Sequence, residues 1–268
     1  MVELERRTLG PLPVLAAGEG PPLLYLGGLL PVAGVDSSLA RRTAEFSIRP
    51  FSAGRNVIFA NRRSGLPRGM TIAEIAAEHA EAVRALECGP IDVLGVSTGG
   101  SIAQQLAAEH REVVRRLVLL GTGCRLTPKA RGLQSRVAEH VRAGNDRLAL
   151  ASVAVGVVLG GGEPPARLIA PFMGPLVRRV GDLSDLATTI EAEDGFDLSR
   201  CEGTITAPTL IVAGARDRFY PGPLLDETRR LIPGSVVQTI PRRGHLTLMT
   251  DSRVVPTVRA HLDARMHT

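Results

Sequence analysis

A serine between glycines, at the junction of two apolar segments, constrains the fold of this chain more than any other feature. Residues 95–100 read Gly-Val-Ser-Thr-Gly-Gly, with an apolar run before them and the helix-forming stretch 102–108 after them. This order predicts a strand, a sharp turn with Ser97 at its apex, and a helix. Such a turn brings the backbone on both sides of the serine into close contact, which favours Gly95 and Gly99 because they lack a Cβ. The N-terminus of the helix would direct its N–H groups toward the serine oxygen.

A serine nucleophile needs a general base, and the base needs an acid that orients it. The apolar, β-branched segment 208–214 predicts a buried strand, and Asp217 follows that strand. Residues 236–240 predict a second strand, and His245 comes shortly after it. The order Ser97, Asp217, His245, with each residue just beyond a strand, is the order expected of an α/β-hydrolase. We therefore interpret these three side chains as a catalytic triad.

Apolar strand-like segments alternate with helix-forming segments over most of the chain. After a hairpin at residues 4–9 and 14–17, the predicted strands are 23–26, 57–60, 91–96, 114–120, 210–213 and 236–240. A helix should begin after Thr71, because Glu74 stands three residues later and completes a capping box. Strands that alternate with helices indicate an α/β fold with a mostly parallel sheet. Apolar strands of this kind are covered by helices on both faces.

This rhythm of strands stops between the predicted strands 114–120 and 210–213. Four helical patterns fill the interval, and they cover residues 132–142, 146–159, 165–180 and 183–191. Three glycines at 160–162 and the pair Pro164 and Pro165 interrupt these patterns. The interval therefore predicts a helical insertion in the α/β fold.

The chain resembles the α/β-hydrolase superfamily. The matching segments, besides the Ser97 turn and the loops of Asp217 and His245, are 23–29, 56–65 and 115–121. The resemblance implies an α/β-hydrolase core made of residues 1–124 and 206–268. It also implies that residues 125–205 form a helical cap over the active site.

The resemblance further implies an oxyanion hole built from the backbone N–H groups of Leu29 and Thr98. Relatives often carry His-Gly at the oxyanion loop, where this chain has Gly27 and Gly28, and often an aspartate where this chain has Asn61. Because the hole uses main-chain donors, we expect it to form without the missing histidine.

Apolar residues of the insertion are candidates to line a substrate pocket, and they are Leu150, Val153, Val157, Ile169, Phe172, Met173 and Leu176. Two alternatives stay open. These residues can simply pack the cap helices onto the core, and the substrate can instead be polar, held by Arg62 or Arg63 near the mouth of the pocket.

Composition limits the partners and the location of the protein. The net charge is +5, but the arginines are spread along the chain and aromatic residues make up 3% of it, so no nucleic-acid partner is expected. The longest apolar stretch, 148–159, is too short to span a bilayer. The N-terminus carries no apolar signal core, which predicts a cytoplasmic protein with no membrane span. A homo-oligomer is left open.

The cysteines and histidines indicate no cofactor. Cys88, Cys124 and Cys201 are odd in number and irregularly spaced, which predicts reduced thiols. No H-E-x-x-H or paired C-x-x-C spacing is present, so neither a metal nor an organic cofactor is expected.

Together these patterns predict a serine hydrolase that cleaves an ester, thioester or lactone of a small to medium apolar molecule. A serine nucleophile argues against dehalogenase and epoxide hydrolase chemistry, in which relatives use aspartate. The same triad would serve carbon–carbon bond hydrolysis or cofactor-free perhydrolysis, and both stay open. A ligand-binding protein or cyclase on the same fold is the alternative of another class.

Overall fold

Within residues 3–159, 163–201 and 205–264, which the computed structural model describes, eight strands form one sheet. The strands are β1 (Glu5–Leu9), β2 (Leu12–Ala17), β3 (Pro22–Leu26), β4 (Asn56–Ala60), β5 (Ile91–Val96), β6 (Val114–Leu120), β7 (Thr209–Gly214) and β8 (Val236–Ile240). Their order across the sheet is β1-β2-β4-β3-β5-β6-β7-β8. The β1–β2 and β2–β4 pairs are antiparallel, and all other pairs are parallel. The predicted α/β-hydrolase fold with a mostly parallel sheet is confirmed.

Helices connect the strands, and a group of them separates β6 from β7 in the chain. The helices are α1 (Ser38–Ile48), α2 (Ile72–Arg84), α3 (Thr98–Glu109), α4 (Pro128–Arg142), α5 (Asp146–Leu159), α6 (Glu163–Ile169), α7 (Gly174–Val180), α8 (Ser184–Asp194), α9 (Gly222–Leu231), α10 (His245–Leu248) and α11 (Val254–Asp263). None of the helices within the described ranges is long and apolar enough to cross a membrane.

The predicted capping box opens α2. The Glu74 N–H donates to Thr71 Oγ1 at 3.2 Å, and the Thr71 N–H donates back to Glu74 Oε2 at 2.7 Å. Two of the unpaired N–H groups at this helix end are thus satisfied by side chains, which fixes where the helix begins.

Alternate residues of the central strands point to opposite faces of the sheet, and each face has its own core. Leu24 and Leu26 pack on one face, in the same cluster as Ile75 of α2 and Leu106 of α3. The alternate positions 23 and 25 face the other side, where α1 and α11 supply Ile48 and Val258. Helices on both faces therefore bury the apolar strands, as the sequence predicts.

The structure corrects one prediction inside the insertion, residues 125–205. The continuous helix expected over 165–180 is wrong, since the chain forms α6, a 3-10 turn at Ala170–Met173 and then α7. Pro171 and Pro175 stand at the starts of the second and third segments, where a missing N–H is tolerated. The expected glycine break at 160–162 lies outside the described residues. The division into core and cap stays a prediction.

Candidate active site

Ser97 lies at the turn between β5 and α3, at the carboxyl edge of the parallel strands. Its backbone has φ +51° and ψ −121°, a conformation that L-residues rarely adopt, and α3 begins at the next residue. Such a conformation costs on the order of 1–3 kcal/mol and persists only where the surrounding structure enforces it. The turn lifts the Ser97 side chain off the sheet toward α10.

Glycine is required on both sides of this turn because other backbone lies against it. A Cβ on Gly95 would lie 2.5 Å from the Gly99 carbonyl oxygen and 2.6 Å from the Ala103 Cβ. A Cβ on Gly99 would overlap the carbonyl oxygens of Leu26 and Gly27. Any larger residue at either position would therefore displace the turn itself.

The three side chains of the expected triad lie in a row. His245, the first residue of α10, has its Nε2 3.0 Å from Ser97 Oγ. Its Nδ1 lies 2.8 Å from Asp217 Oδ2, on the loop after β7. Both distances are within hydrogen-bond range. The fold thus joins residues from positions 97, 217 and 245 at one edge of the sheet.

The loop after β7 holds the Asp217 carboxylate in place. Asp217 is buried, and its Oδ1 accepts the backbone N–H groups of Phe219 at 2.8 Å and Tyr220 at 3.2 Å. The other oxygen is left for the imidazole. The rings of Phe219 and Tyr220 also lie against His245, with centroids 4.9 Å and 5.9 Å away. No pattern in the sequence points to these two aromatic residues.

The loop after β3 passes beside Ser97 and brings Leu29 to the same cavity as Thr98. A Cβ on Gly28 would lie 3.4 Å from the Ser97 Cβ. The loop is therefore in close contact with the turn at Ser97, which we call the elbow. Among the described residues, neither the Leu29 nor the Thr98 N–H donates to another protein group. The structure is therefore compatible with the predicted oxyanion donors, and their role stays a prediction.

Asn61 and Arg62, which follow β4, brace this loop. Asn61 Nδ2 donates to the Val32 and Gly34 carbonyl oxygens at 2.9 Å and 3.0 Å. The Arg62 guanidinium donates to the Leu30 carbonyl oxygen at 2.8 Å and to Asn61 Oδ1 at 3.2 Å. These contacts fix the path of the loop that follows β3.

Arg62 and Arg63, the two arginines of the polar alternative, do not line the cavity that adjoins Ser97. Arg62 is 3% exposed, and burial lowers the pKa of its guanidinium to about 10. Arg63 forms a salt bridge with Glu78 at 2.6 Å and donates to the Gly65 carbonyl oxygen at 2.9 Å. Both guanidinium groups have partners within the protein, and the alternative of a polar substrate stays open.

A cavity of about 200 Å³ adjoins Ser97 and His245. Its other lining residues are Gly28, Leu29, Leu30, Val96, Thr98, Leu133, Gln134, Val137, Ser152, Val153, Gly156, Ile190, Phe219, Leu246 and Met249. No Asp, Glu, Lys or Arg of the described residues lines it, and its polar groups are hydroxyls, one amide and the imidazole. The cavity suits an uncharged, largely apolar ligand.

Of the seven insertion residues expected to line the pocket, Val153 does so. Leu150 is buried with the α4 and α8 side chains, and Ile169 and Met173 pack against apolar clusters within the insertion. Phe172 and Leu176 are 76% and 36% exposed, so they face solvent. The Val157 side chain lies outside the described residues. The alternative of simple packing holds for Leu150, Ile169 and Met173.

Within the described part of the chain, no group of three or more His, Cys, Asp or Glu side chains is arranged to hold a metal ion.

Residues 23–258 match the model of a family described as the Alpha/beta hydrolase family. The chain belongs to this family. The matched residues include the Ser97 turn and the segments of Asp217 and His245, and they run through the whole insertion.

The individual proteins that the chain is similar to share a low sequence identity with it. The chain is 27% identical over 260 residues to polyketide synthase ThaQ of Burkholderia thailandensis, covering 93% of this chain but 12% of that protein. It is 28% identical to the pimeloyl-[acyl-carrier protein] methyl ester esterase of Neisseria meningitidis, over 64% of this chain and 68% of the esterase. The crystal structure of a hydrolase from Pseudomonas aeruginosa matches with a TM-score of 0.75 at 22% identity, covering 98% and 99% of the two chains. That structure supports the fold, and the family with its esterase relatives supports a hydrolase.

Proposed function

We propose that this protein is a serine hydrolase that cleaves an ester, thioester or lactone through an acyl-enzyme. The observation that carries the proposal is the row Ser97 Oγ, His245 Nε2 and Nδ1, and Asp217 Oδ2, with contacts of 3.0 Å and 2.8 Å beside an apolar cavity. Hydroxyl, imidazole and carboxylate in this order are the arrangement that activates a serine at neutral pH.

In the first half of the reaction, Ser97 Oγ attacks the substrate carbonyl carbon and His245 Nε2 accepts the hydroxyl proton. Asp217 holds the Nδ1–H tautomer and stabilises the imidazolium that forms. The carbonyl oxygen becomes an oxyanion, and the Leu29 and Thr98 N–H groups donate to it. When the carbonyl–heteroatom bond breaks, His245 returns the proton to the leaving alcohol or thiol.

In the second half, a water molecule attacks the acyl-enzyme carbonyl while His245 Nε2 accepts one of its protons. The same two amides stabilise the second oxyanion. The bond to Ser97 Oγ then breaks and His245 returns a proton to that oxygen. This half releases a carboxylic acid and restores the free serine. The complete cycle therefore consumes only the substrate and one water molecule.

The cavity supports a substrate that is small and mostly apolar. Its volume of about 200 Å³ is below the roughly 300–1,000 Å³ typical of drug-sized ligands. An uncharged lining disfavours an anionic or cationic substrate, because a buried charge would have no partner there. The name of the Neisseria relative, a methyl ester esterase, agrees with cleavage of an ester.

Hydrolysis of p-nitrophenyl esters by the wild type and by Ser97→Ala tests this function. Removing the nucleophile should lower kcat by about 10⁶, to the rate that binding alone sustains. The matched control is Ser252→Ala, at an exposed serine that does not line the cavity, which should keep the wild-type rate. Circular dichroism checks that both variants fold.

Three outcomes would redirect the proposal. Ester hydrolysis that persists in Ser97→Ala contradicts Ser97 as nucleophile. An inactive wild type with an accessible, probe-reactive Ser97 favours the ligand-binding or cyclase alternative. Faster cleavage of a diketone than of any ester favours carbon–carbon bond hydrolysis, which uses the same triad.

A further inference from the structure

A buried glutamate from the insertion lies directly behind the nucleophile turn. Glu193, near the end of α8, is 0% exposed. The Thr98 hydroxyl donates to its Oε2 at 2.8 Å, and the Ser101 hydroxyl donates to its Oε1 at 3.1 Å. Both hydroxyls belong to the first turn of α3, so Glu193 ties the insertion to the helix that starts at the elbow.

Two further donors reach the same carboxyl group. The Tyr220 hydroxyl donates to Glu193 Oε1 at 3.4 Å. The Gln134 side chain, which lines the cavity from α4, also forms a hydrogen bond with Glu193. Burial raises the pKa of Glu193, and burial together with this carboxyl group keeps the pKa of Tyr220 well above its ordinary value. The tyrosine therefore stays a donor.

The position is unfavourable for a carboxyl group that only fills space. Among the described residues, no Arg, Lys or His side chain forms a salt bridge with Glu193. Burying a carboxyl group without a cation is costly, and an apolar side chain of similar volume would pack there at lower cost. The hydrogen bonds that Glu193 accepts, rather than the space that its side chain fills, therefore explain why a glutamate stands at this position.

Those partners surround the proposed reaction centre. Thr98 carries one of the two proposed oxyanion donors on its backbone. Tyr220 donates its N–H to Asp217 and lies against His245. A single carboxyl group thus contacts the oxyanion side and the acid–base side of the site.

We propose that Glu193 is a positioning residue that fixes the Thr98 amide in its oxyanion-binding orientation and holds Tyr220 against His245. The inference rests on the proposed function, because it assigns Glu193 a role in the same reaction. It acts through Thr98 and Tyr220 and does not touch the substrate. Its effect should therefore appear in the chemical step and leave substrate binding nearly unchanged.

Glu193→Gln keeps the side-chain volume and replaces one acceptor oxygen with an NH₂ donor. In the wild type the neighbouring hydroxyls donate to that oxygen, so in the variant a donor faces a donor. Asp194→Asn is the matched control. Asp194 is the next residue of α8, burial raises the pKa of its carboxyl group as well, and its Oδ2 accepts the Ser135 hydroxyl at 2.6 Å, away from the elbow. The two substitutions are chemically the same and differ in their partners.

Steady-state kinetics should show kcat lowered about tenfold in Glu193→Gln with KM within about twofold, a fraction of the loss caused by deleting an oxyanion donor. The affinity for an aryl trifluoromethyl ketone, whose serine adduct carries an oxyanion, should fall by a similar factor. Asp194→Asn should match the wild type in both measurements. Equal kcat in all three folded proteins, or equal losses in the two variants, would overturn the proposal.

A double-mutant cycle separates positioning from general loss of structure. Thr98→Val removes the hydroxyl that contacts Glu193 and keeps the backbone N–H. In the Thr98→Val background, Glu193→Gln should lower kcat by much less than tenfold, because the contact that transmits the effect is already gone. Strictly additive losses would contradict the assignment to Thr98.

The two proposals fail in different ways. If the wild type cleaves esters and Ser97→Ala does not, while Glu193→Gln is fully active, only the positioning role is wrong. If Ser97→Ala retains the wild-type rate, the proposed function is wrong and the role of Glu193 falls with it.

Discussion

Buried acids lie near both ends of β5, in opposite surroundings. At the amino end, Asp92 is 0% exposed and accepts Arg115 at 2.7 Å and 2.8 Å and Arg55 at 2.7 Å. At the carboxyl end, Asp217 and Glu193 are also buried, but their partners are an imidazole, hydroxyls, an amide side chain and backbone N–H groups. At the amino end of β5 the buried acid is therefore paired with guanidinium groups, and at the carboxyl end the buried acids have no guanidinium partner among the described residues.

This difference separates stability from reactivity. Guanidinium groups around Asp92 balance its charge and fasten strands and helices together, which is useful only to the fold. An acid without a cation keeps the capacity to polarise a neighbouring group, and that is what the proposed reaction requires of Asp217. The strained Ser97 and the cavity lie at this second end.

Asp217→Asn should show the larger of the two effects on rate. The asparagine keeps an oxygen for the Phe219 and Tyr220 N–H groups, so the loop should hold its shape. It presents an amide to His245 and favours the wrong imidazole tautomer, so kcat should fall about 10⁴-fold. Ester turnover measures kcat, and thermal unfolding should be close to wild type. A loss below about tenfold would indicate a different acid.

Asp92→Asn should show the reverse pattern. It leaves the buried guanidinium of Arg55 and the half-buried one of Arg115 without a full counter-charge. Breaking a buried ion pair in this way typically costs about 3–5 kcal/mol of unfolding free energy. Urea unfolding measures this loss, while kcat of the folded fraction should stay within a few-fold of wild type. A large loss of kcat without a loss of stability would break the contrast between the two ends.

Substrate chain length tests the apolar cavity at the carboxyl end. If apolar contact selects the substrate, each buried CH₂ contributes about 0.8 kcal/mol, so kcat/KM should rise up to about a hundredfold from acetyl to hexanoyl esters. Val153→Ser, within the lining, should reduce the slope of this series. Phe172→Ser, at an exposed position, should leave it unchanged. A flat or falling series for the wild type would favour a polar substrate.

The sequence predicts the strands well because they are short, apolar and β-branched, and because turn residues bound them. Strands β5, β6 and β8 begin and end where the sequence predicts. The order of Ser97, Asp217 and His245 predicts a common edge for the same reason, since each follows such a strand. Local sequence patterns are therefore enough to predict the fold and the common position of these three side chains.

Other features depend on contacts between distant segments, and no local pattern reveals them. Glu193 lies 95 residues from Thr98, and in sequence it resembles any other charged residue near the end of a helix. Helix α5 is apolar on nearly all sides, so periodicity cannot indicate which of its residues meet the cavity. Phe172 illustrates the opposite error, an apolar residue that the short insertion helices leave exposed.

The central claim is that the carboxyl end of β5 makes Ser97 a nucleophile, and a fluorophosphonate probe tests it most directly. The probe reacts with a serine only where a base activates it, and mass spectrometry of the digested protein then locates the adduct. We expect the adduct on Ser97 of the folded protein, no adduct on the neighbouring Ser101, and none after heat denaturation. An unlabelled folded protein, or an adduct on any other serine, would contradict the account.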